Sequence, residues 1–315
     1  MTTDMDSPGA INLHGREDFK GFAYLDYDLH PLVAWNVVRG VYCSADCVER
    51  DQSGAFLSLS MATMLRGHSE NRLKSEMAIE ILRNSKFPHH VSRLRGVFVF
   101  DDVDSISQLW YGHEWGESFH DKYMTDVGVS ANRSTRVDAN WILEIMDSNC
   151  CLTENWLEAA TNYWEGKRHP TKTPIWERIV EGWVTIWQSD IKKQALLGIS
   201  SYWPKSLKLL EYSCNAALVN SNDGVIMAAS HHKDDFMYVD FYIRLVDAKS
   251  NDFLMKYSEF IKNNQGRVAF YNSVSYDLVT PDFSDLSIKI PVLGPIQFEA
   301  YPDGTVRTNL QPPVR

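Results

Sequence analysis

The spacing of apolar residues predicts several amphipathic helices along the chain. In residues 71–85, Leu73, Met77, Ile81 and Leu82 recur at helical intervals on roughly one face. A proline three residues after this segment ends the helix. Further helices are predicted over residues 104–111, 156–165 and 248–264.

Short runs of β-branched and aromatic residues predict strands between these helices. The predicted strands span residues 32–42, 95–100, 178–187, 236–246 and 267–272. The last two strands flank the predicted helix 248–264, which gives a β-α-β unit. The irregular mixture of helices and strands indicates the α+β class.

The distribution of tryptophan indicates a division of the chain into two domains. All ten tryptophans lie between Trp35 and Trp203, and polar residues cluster with Gly198 and Pro204 near the end of that region. We therefore predict a first domain over residues 1–195 and a smaller α+β accessory domain over residues 205–315.

Composition and charge narrow the class of protein. The 315 residues are 44% hydrophobic and carry a net charge of −10, which is typical of a globular protein and argues against a broad basic surface for nucleic acid. The first residues lack a secretory signal pattern, and no apolar run reaches the roughly 18 residues of a membrane span. A cytoplasmic protein without membrane contact is expected.

The cysteines and histidines predict neither a disulfide framework nor a metal site. The five cysteines are odd in number and two are adjacent, which favours buried, reduced thiols. His113-Glu114 resembles the start of a zinc-protease helix, but the next histidine, His120, is too far along to share a metal ion. The adjacent histidine pairs are interpreted as surface or turn residues: His89-His90 and His231-His232.

Several nucleotide-binding and catalytic motifs are absent from the sequence. It contains no GxxxxGK[ST] loop, no GxGxxG fingerprint and no GxSxG elbow. Any NAD chemistry would therefore need a fold other than the dinucleotide-binding βαβ fold.

The segment 163–187 is the most informative for function. A polar loop leads into an apolar strand, with Glu177 at its start. By composition alone, Glu177 is a solvent-exposed residue at the start of a strand. The run Glu177 to Ile186, however, resembles the last sequence block of the ADP-ribosyltransferase superfamily, "E-V-L-I-P-x-x-Y-x-I". Ile175 stands where the arginine-modifying members carry Glu or Gln, which argues against that specificity.

Two further blocks resemble an uncharacterised, toxin-like bacterial branch of the same superfamily. They are residues 76–100, and the sequence DANW at 138–141 followed by YWEG at 163–166. The resemblance spans about residues 30–188. It implies a split, mixed or antiparallel sheet with helices, and NAD as substrate rather than as a bound cofactor.

The resemblance also implies roles for individual residues. Glu177 would stabilise the oxocarbenium-like ribose cation, and no metal would be required. Arg39, Ser92, Arg93 and Tyr163 would contact NAD. For each of these four an ordinary role stays open: a salt bridge for Arg39, bracing of a strand for Ser92 and Arg93, and core packing for Tyr163. The middle NAD-binding motif of the superfamily is assigned either to residues 56–60 or to the strand at 98–100.

The ADP-ribose acceptor stays open between protein and nucleic acid. By analogy with the superfamily, a toxin or phage-defence effector neutralised by an antitoxin protein is one expectation. An NAD glycohydrolase, with water as acceptor, is an alternative that uses the same residues. A non-catalytic binding or phage structural protein that retains the fold is the alternative from a different class.

Overall fold

The computed structural model describes residues 16–48, 55–66, 69–112, 120–263, 266–270, 277–291, 298–300 and 306–308. Within these ranges the fold is mixed α+β, with two multi-stranded antiparallel sheets, a two-stranded ribbon and ten α-helices. The predicted α+β class is confirmed.

The strands, in chain order, are β1 (Glu17–Tyr24), β2 (Val41–Cys43), β3 (Phe56–Leu57), β4 (Val97–Phe100), β5 (Met124–Asp138), β6 (Trp176–Ile186), β7 (Ile226–Lys233), β8 (Phe236–Ile243), β9 (Ile288–Pro291), β10 (Phe298–Ala300) and β11 (Val306–Thr308). The α-helices are α1 (Pro31–Arg39), α2 (Ala45–Val48), α3 (Leu59–Met64), α4 (Ser69–Lys86), α5 (Val103–Gly112), α6 (Ile142–Ile145), α7 (Trp156–Trp164), α8 (Ser189–Tyr202), α9 (Leu207–Leu218) and α10 (Asn251–Asn263).

The first sheet closes on itself around strand β6. One edge of β6 pairs with β2 and β4, and the other edge pairs with β5 along its whole length. Strand β1 pairs with β5 and reaches β4 through a single residue pair, Phe22 and Phe100. Strands β6, β4, β1 and β5 therefore form a closed ring, and alternate residues of β6 such as Val180 and Val184 enter the main apolar core.

The second sheet has the order β3-β7-β8-β9 and shares this core. Helix α1 packs against α8 and α9, and Trp35 of α1 donates a hydrogen bond from Nε1 to the carbonyl of Gly224 (2.8 Å). The main core contains Ile199 of α8, Leu209 of α9 and Phe241 of β8 as well as residues of the first sheet. One apolar core therefore spans both sides of the boundary predicted at residues 195–205, and most of those residues lie within helix α8.

The strand predicted over residues 32–42 is wrong, because most of it is helix α1. Eight of the nine α1 residues are buried, so the apolar run has no polar face to reveal a helical period. Pro31 occupies the first turn, and Gly40, at φ +84°, ends the helix in the left-handed conformation. Only the short strand β2 follows.

Most of the other predicted helices and strands agree with the structure, except near the end of the chain. Helices α4, α5, α7 and α10 and strands β4, β6 and β8 confirm their predicted counterparts. Residues 267–270 carry no strand, and residues 271–272 lie outside the described ranges. Strand β9 follows α10 but pairs antiparallel with β8, so the β-α-β order forms no parallel unit.

The structure corrects two sequence-based expectations about single residues. All five cysteines are free, but only Cys43 and Cys214 are buried. His90 lies in a turn, where its amide donates to the carbonyl of Phe87, but it is buried between Phe87 and Trp164 rather than at the surface. The segment with His113-Glu114 lies outside the described residues. Across the part of the chain that is described, no helix is long and apolar enough to cross a membrane.

The close approach of β5 and β6 at Gly182 can be tested by substitution. A Cβ at Gly182 would lie 2.3 Å from the carbonyl oxygen of Ser130 and 2.7 Å from Ala131 Cα, both backbone atoms that cannot yield separately. We expect Gly182→Ala to lower the free energy of unfolding by about 1–3 kcal/mol in denaturant titrations. Gly198→Ala is the control, because open space surrounds that position within α8, and it should stabilise by about 0.5–1 kcal/mol. Equal changes in the free energy of unfolding at both positions would contradict this close contact between β5 and β6.

Candidate functional site

Glu177 lies at the second position of strand β6, opposite Phe100 of β4 and Val137 of β5. Side chains two residues apart on a strand share a face, so Glu177 and Ile179 point the same way. Ile179 packs in an apolar cluster with Ile79 of α4 and Trp164 of α7. Glu177 therefore faces the layer of helices α4 and α7 that covers the sheet.

Four buried polar side chains meet in this layer, and we call them the buried cluster: Glu76 of α4, Arg93, Tyr163 of α7 and Glu177. Arg93 Nε lies 2.9 Å from Glu76 Oε2, and Arg93 Nη2 lies 3.1 Å from Glu76 Oε1, a two-point ion pair. Arg93 Nη1 donates to the Tyr163 hydroxyl at 2.5 Å and lies 3.8 Å from Glu177 Oε1. One guanidinium thus joins two carboxyl groups and a phenol.

Arg72 covers the buried cluster on its outer side. Its Nη2 lies 2.8 Å from Glu76 Oε1, one helical turn along α4. The Arg72 side chain is 18% exposed while that of Glu76 is fully buried, so Arg72 stands between the cluster and solvent.

The two carboxyl groups of the cluster have opposite pKa shifts. Burial alone raises the pKa of Glu76, but the positive charges of Arg93 and Arg72 outweigh burial and lower it to about 2. Burial raises the pKa of Glu177 to about 7, because Arg93 lies farther from it and the negative Glu76 adds to the effect of burial. Burial also raises the pKa of Tyr163, so its hydroxyl stays protonated.

Glu177 is the member of the cluster with unused bonding capacity. No described residue is a hydrogen-bond partner of its Oε1 atom, although the side chain is only 5% exposed. A buried carboxyl oxygen without a partner is uncommon in folded proteins. With a pKa near 7, the group can hold or release a proton at neutral pH, as general acid-base chemistry requires.

The structure brings two of the four predicted NAD contacts to Glu177. They are Arg93 and Tyr163, whose contacts are given above. Ser92 instead braces the turn before β4, where its hydroxyl accepts a hydrogen bond from the amide of Leu94 (3.2 Å). Its side chain has the strand-bracing role that was the alternative interpretation.

Arg39 lies at the end of α1 and takes part in a different set of contacts. It donates to the backbone carbonyls of Val41, Ser221 (2.5 Å) and Asp223 (3.2 Å). Burial lowers its pKa to about 10, and these contacts tie α1 to the loop before β7. Arg39 therefore does not converge on Glu177.

The candidate middle motifs also have defined places. Phe56 and Leu57 form β3 in the second sheet, and the Ser58 hydroxyl accepts from the amide of Met61 at the start of α3. Phe98 of β4 lies beneath the Arg93 guanidinium, 4.9 Å from ring centre to Cζ. The strand at 98–100 therefore borders the buried cluster, while residues 56–60 form β3 of the second sheet and the start of α3.

Sequence reasoning missed the roles of Glu76 and Arg72. A signal was present: Glu76 lies three residues from both Leu73 and Ile79, on the face of α4 that is buried. A carboxylate at such a position requires a buried cation. Arg72, four residues before it, supplies one of the two cations from the same helix.

One known family matches the region that holds this site. Residues 48–193, just under half of the chain, match a family described as "Protein of unknown function (DUF2441)". The matched region contains all four residues of the buried cluster and leaves out Arg39. No curated protein matches the chain.

The raised pKa of Glu177 predicts a pH dependence of stability. Because the folded-state pKa, about 7, lies above the ordinary value of 4.5, the folded protein retains a proton that the unfolded chain releases. The stability that protonated Glu177 contributes is fully present below the ordinary pKa and is lost as pH rises through about 7. From about pH 5 to about pH 8 it should reduce the free energy of unfolding by about 2–3 kcal/mol.

Denaturant titrations at both pH values measure the free energy of unfolding. In Glu177→Gln this free energy should fall between the two pH values by about 2–3 kcal/mol less than in the wild type. Glu181→Gln is the control, since Glu181 lies on the same strand in a partly exposed pair with Arg133. A wild-type pH profile in the Glu177 variant would show that Glu177 titrates normally in the folded protein.

The two-point pair between Arg93 and Glu76 predicts strong coupling. Arg93→Met should destabilise by about 3–5 kcal/mol, because it removes the main partner of the fully buried Glu76. Adding Glu76→Gln to Arg93→Met should restore part of this loss, since the unpaired charge disappears. Additive effects in the double variant, measured by denaturant titration, would contradict direct coupling.

Proposed function

We propose that the protein is an NAD-dependent ADP-ribosyltransferase in which Glu177 is the catalytic carboxylate. The observation that carries the proposal is the buried Glu177 side chain, with an Oε1 atom that has no hydrogen-bond partner among the described residues and a pKa near neutrality, beside Arg93 and Tyr163. The sequence from Glu177 to Ile186 resembles the superfamily block that holds its catalytic glutamate. Both lines of support concern the same residue.

In this proposal Glu177 acts on the ribose next to nicotinamide. Cleavage of the bond between nicotinamide and ribose builds positive charge on the sugar, and a nearby carboxylate in a dry site stabilises that charge. Glu177 would then accept the proton of the acceptor nucleophile. Tyr163 and Arg93 hold the carboxyl group in place, and Arg93 remains paired with Glu76 throughout.

Access to Glu177 requires a local opening of the protein. The side chain is 5% exposed, and Arg72 lies on the solvent side of the cluster. Substrate would have to displace Arg72 or the adjoining part of α4. The partly exposed Arg72 guanidinium would then be free to pair with a phosphate of NAD.

The acceptor in the proposal is a macromolecule, either protein or nucleic acid. The net charge of −10 favours a protein acceptor over a tightly held nucleic acid. A toxin or phage-defence role with an antitoxin partner, in the cytoplasm, follows from the resemblance alone.

A second candidate function is a non-catalytic binding protein that retains the fold. The observation that favours it is the near-complete burial of all four side chains of the buried cluster. The commitment of Arg39 to backbone carbonyls adds to it, since that arginine was expected to hold NAD. In this case the cluster serves to join helices to the sheet.

Incubation of the purified protein with labelled NAD and a cell lysate separates these functions. A transferase should release nicotinamide and label a macromolecule, and Glu177→Gln should lower the rate by at least about 100-fold. Glu181→Gln, with circular dichroism to check folding, should keep the wild-type rate. Nicotinamide release with free ADP-ribose as product would instead identify an NAD glycohydrolase.

Failure has two distinct forms in this experiment. If the wild type neither binds NAD nor releases nicotinamide, the enzyme proposal fails and the non-catalytic function stands. If the wild type is active and folded Glu177→Gln keeps full activity, the assignment of the catalytic residue fails while the activity remains.

A further inference from the structure

Two adjacent cysteines, Cys150 and Cys151, lie in a tight turn between α6 and α7. The turn is closed by hydrogen bonds from the amide of Cys150 to the carbonyl of Asp147 and from the amide of Asp147 to the carbonyl of Cys151, both 2.9 Å. The Asp147 carboxylate also accepts from the amides of Asn149 and Cys151. The Asp147 backbone and side chain together hold the backbone of this turn in a defined conformation.

Cys150 has a left-handed backbone conformation, with φ +60°. Glycine is the usual residue at such a position, and another residue costs about 1–2 kcal/mol there. The turn thus holds a cysteine where a glycine would be more stable.

The turn is attached to helix α4 beside the buried cluster. Ser75 Oγ donates to the carbonyl of Cys150 at 2.7 Å, and Asn71 Nδ2 donates to the carbonyl of Asn149 at 3.2 Å. Arg72 Nη1 lies 4.0 Å from Cys150 Sγ, while its Nη2 pairs with Glu76. The positive guanidinium stands where negative charge develops on sulfur during thiol chemistry.

The accessibility of this pair differs from that of the buried thiols. Cys150 and Cys151 are both half-exposed, whereas Cys43 and Cys214 are buried and burial raises the pKa of each. Burial and the neighbouring Asp147 also raise the pKa of Cys151. Cys150, with Arg72 against its sulfur, is therefore the better placed of the two to react first with a small oxidant.

We propose that Cys150 and Cys151 form a reversible dithiol modification site for low-molecular-weight disulfides. The Cys150 thiolate attacks the disulfide, forms a mixed disulfide and releases one small thiol. Cys151 then attacks Cys150 Sγ, which closes the bond between the two cysteines and releases the second small thiol. Two protein thiols are oxidised and one small disulfide is reduced to two thiols.

The geometry of adjacent residues makes such a bond labile. Adjacent Cα atoms lie about 3.8 Å apart across a trans peptide, below the roughly 4.4–6.8 Å range that unstrained disulfides span. A strained disulfide is more easily reduced, so the closed form should reopen in reduced glutathione.

The test is oxidation of the native protein with glutathione disulfide, followed by alkylation, trypsin digestion and mass spectrometry. Residues 137–167 form one tryptic peptide with Cys150 and Cys151 and no other cysteine. We expect this peptide to lose about 2 Da and to escape alkylation, as closure of an internal disulfide requires. Added reduced glutathione should restore two alkylated thiols.

The control variants separate the two steps. In Cys151→Ser the peptide should retain a glutathione adduct at Cys150, because no neighbouring thiol resolves it. Cys47→Ser removes another half-exposed cysteine and should leave the result unchanged. A persistent glutathione adduct in the wild type, an unmodified peptide, or a closed bond that resists reduced glutathione would each overturn the proposal.

Discussion

The forked ion pair between Arg93 and Glu76 is the interaction on which the site depends. Both side chains are removed from water, and an unpaired charge in either position would cost several kcal/mol. The pair is tolerated because the guanidinium also donates to Tyr163 and faces Glu177. In this way one side chain links helices α4 and α7 to the sheet and determines which carboxyl group stays ionised.

Another buried arginine, Arg39, is held in a different way. Arg39 is equally buried, but backbone carbonyls surround it instead of carboxylates. Carbonyls accept hydrogen bonds without adding a net charge, so these contacts join α1 to the loop before β7. Arg39 therefore has a structural role, while Arg93 belongs to the candidate functional site.

Sequence reasoning succeeded where one face of an element meets water. Helix α4 could be predicted because the polar residues of its outer face mark the period. Strand β6 was predicted from its β-branched and aromatic residues, and Glu177 was singled out through the apolar strand that follows it. Helix α1 could not, since burial on nearly every side erases the period and leaves only a β-branched composition. The pairing of Arg93 with Glu76 depends on how α4 lies over the sheet, which no local pattern encodes.

The closed ring has a consequence for the order in which the chain acquires its structure. Strand β1 pairs with β5, and β6 closes the ring by pairing with both β4 and β5. The β1–β5 and β4–β6 pairings connect residues about 80–110 positions apart, so they form slowly compared with local helices. During synthesis, strands β2 and β4 therefore keep an unpaired edge until β6, which ends at Ile186, has left the ribosome, and protection by chaperones matters most in that interval.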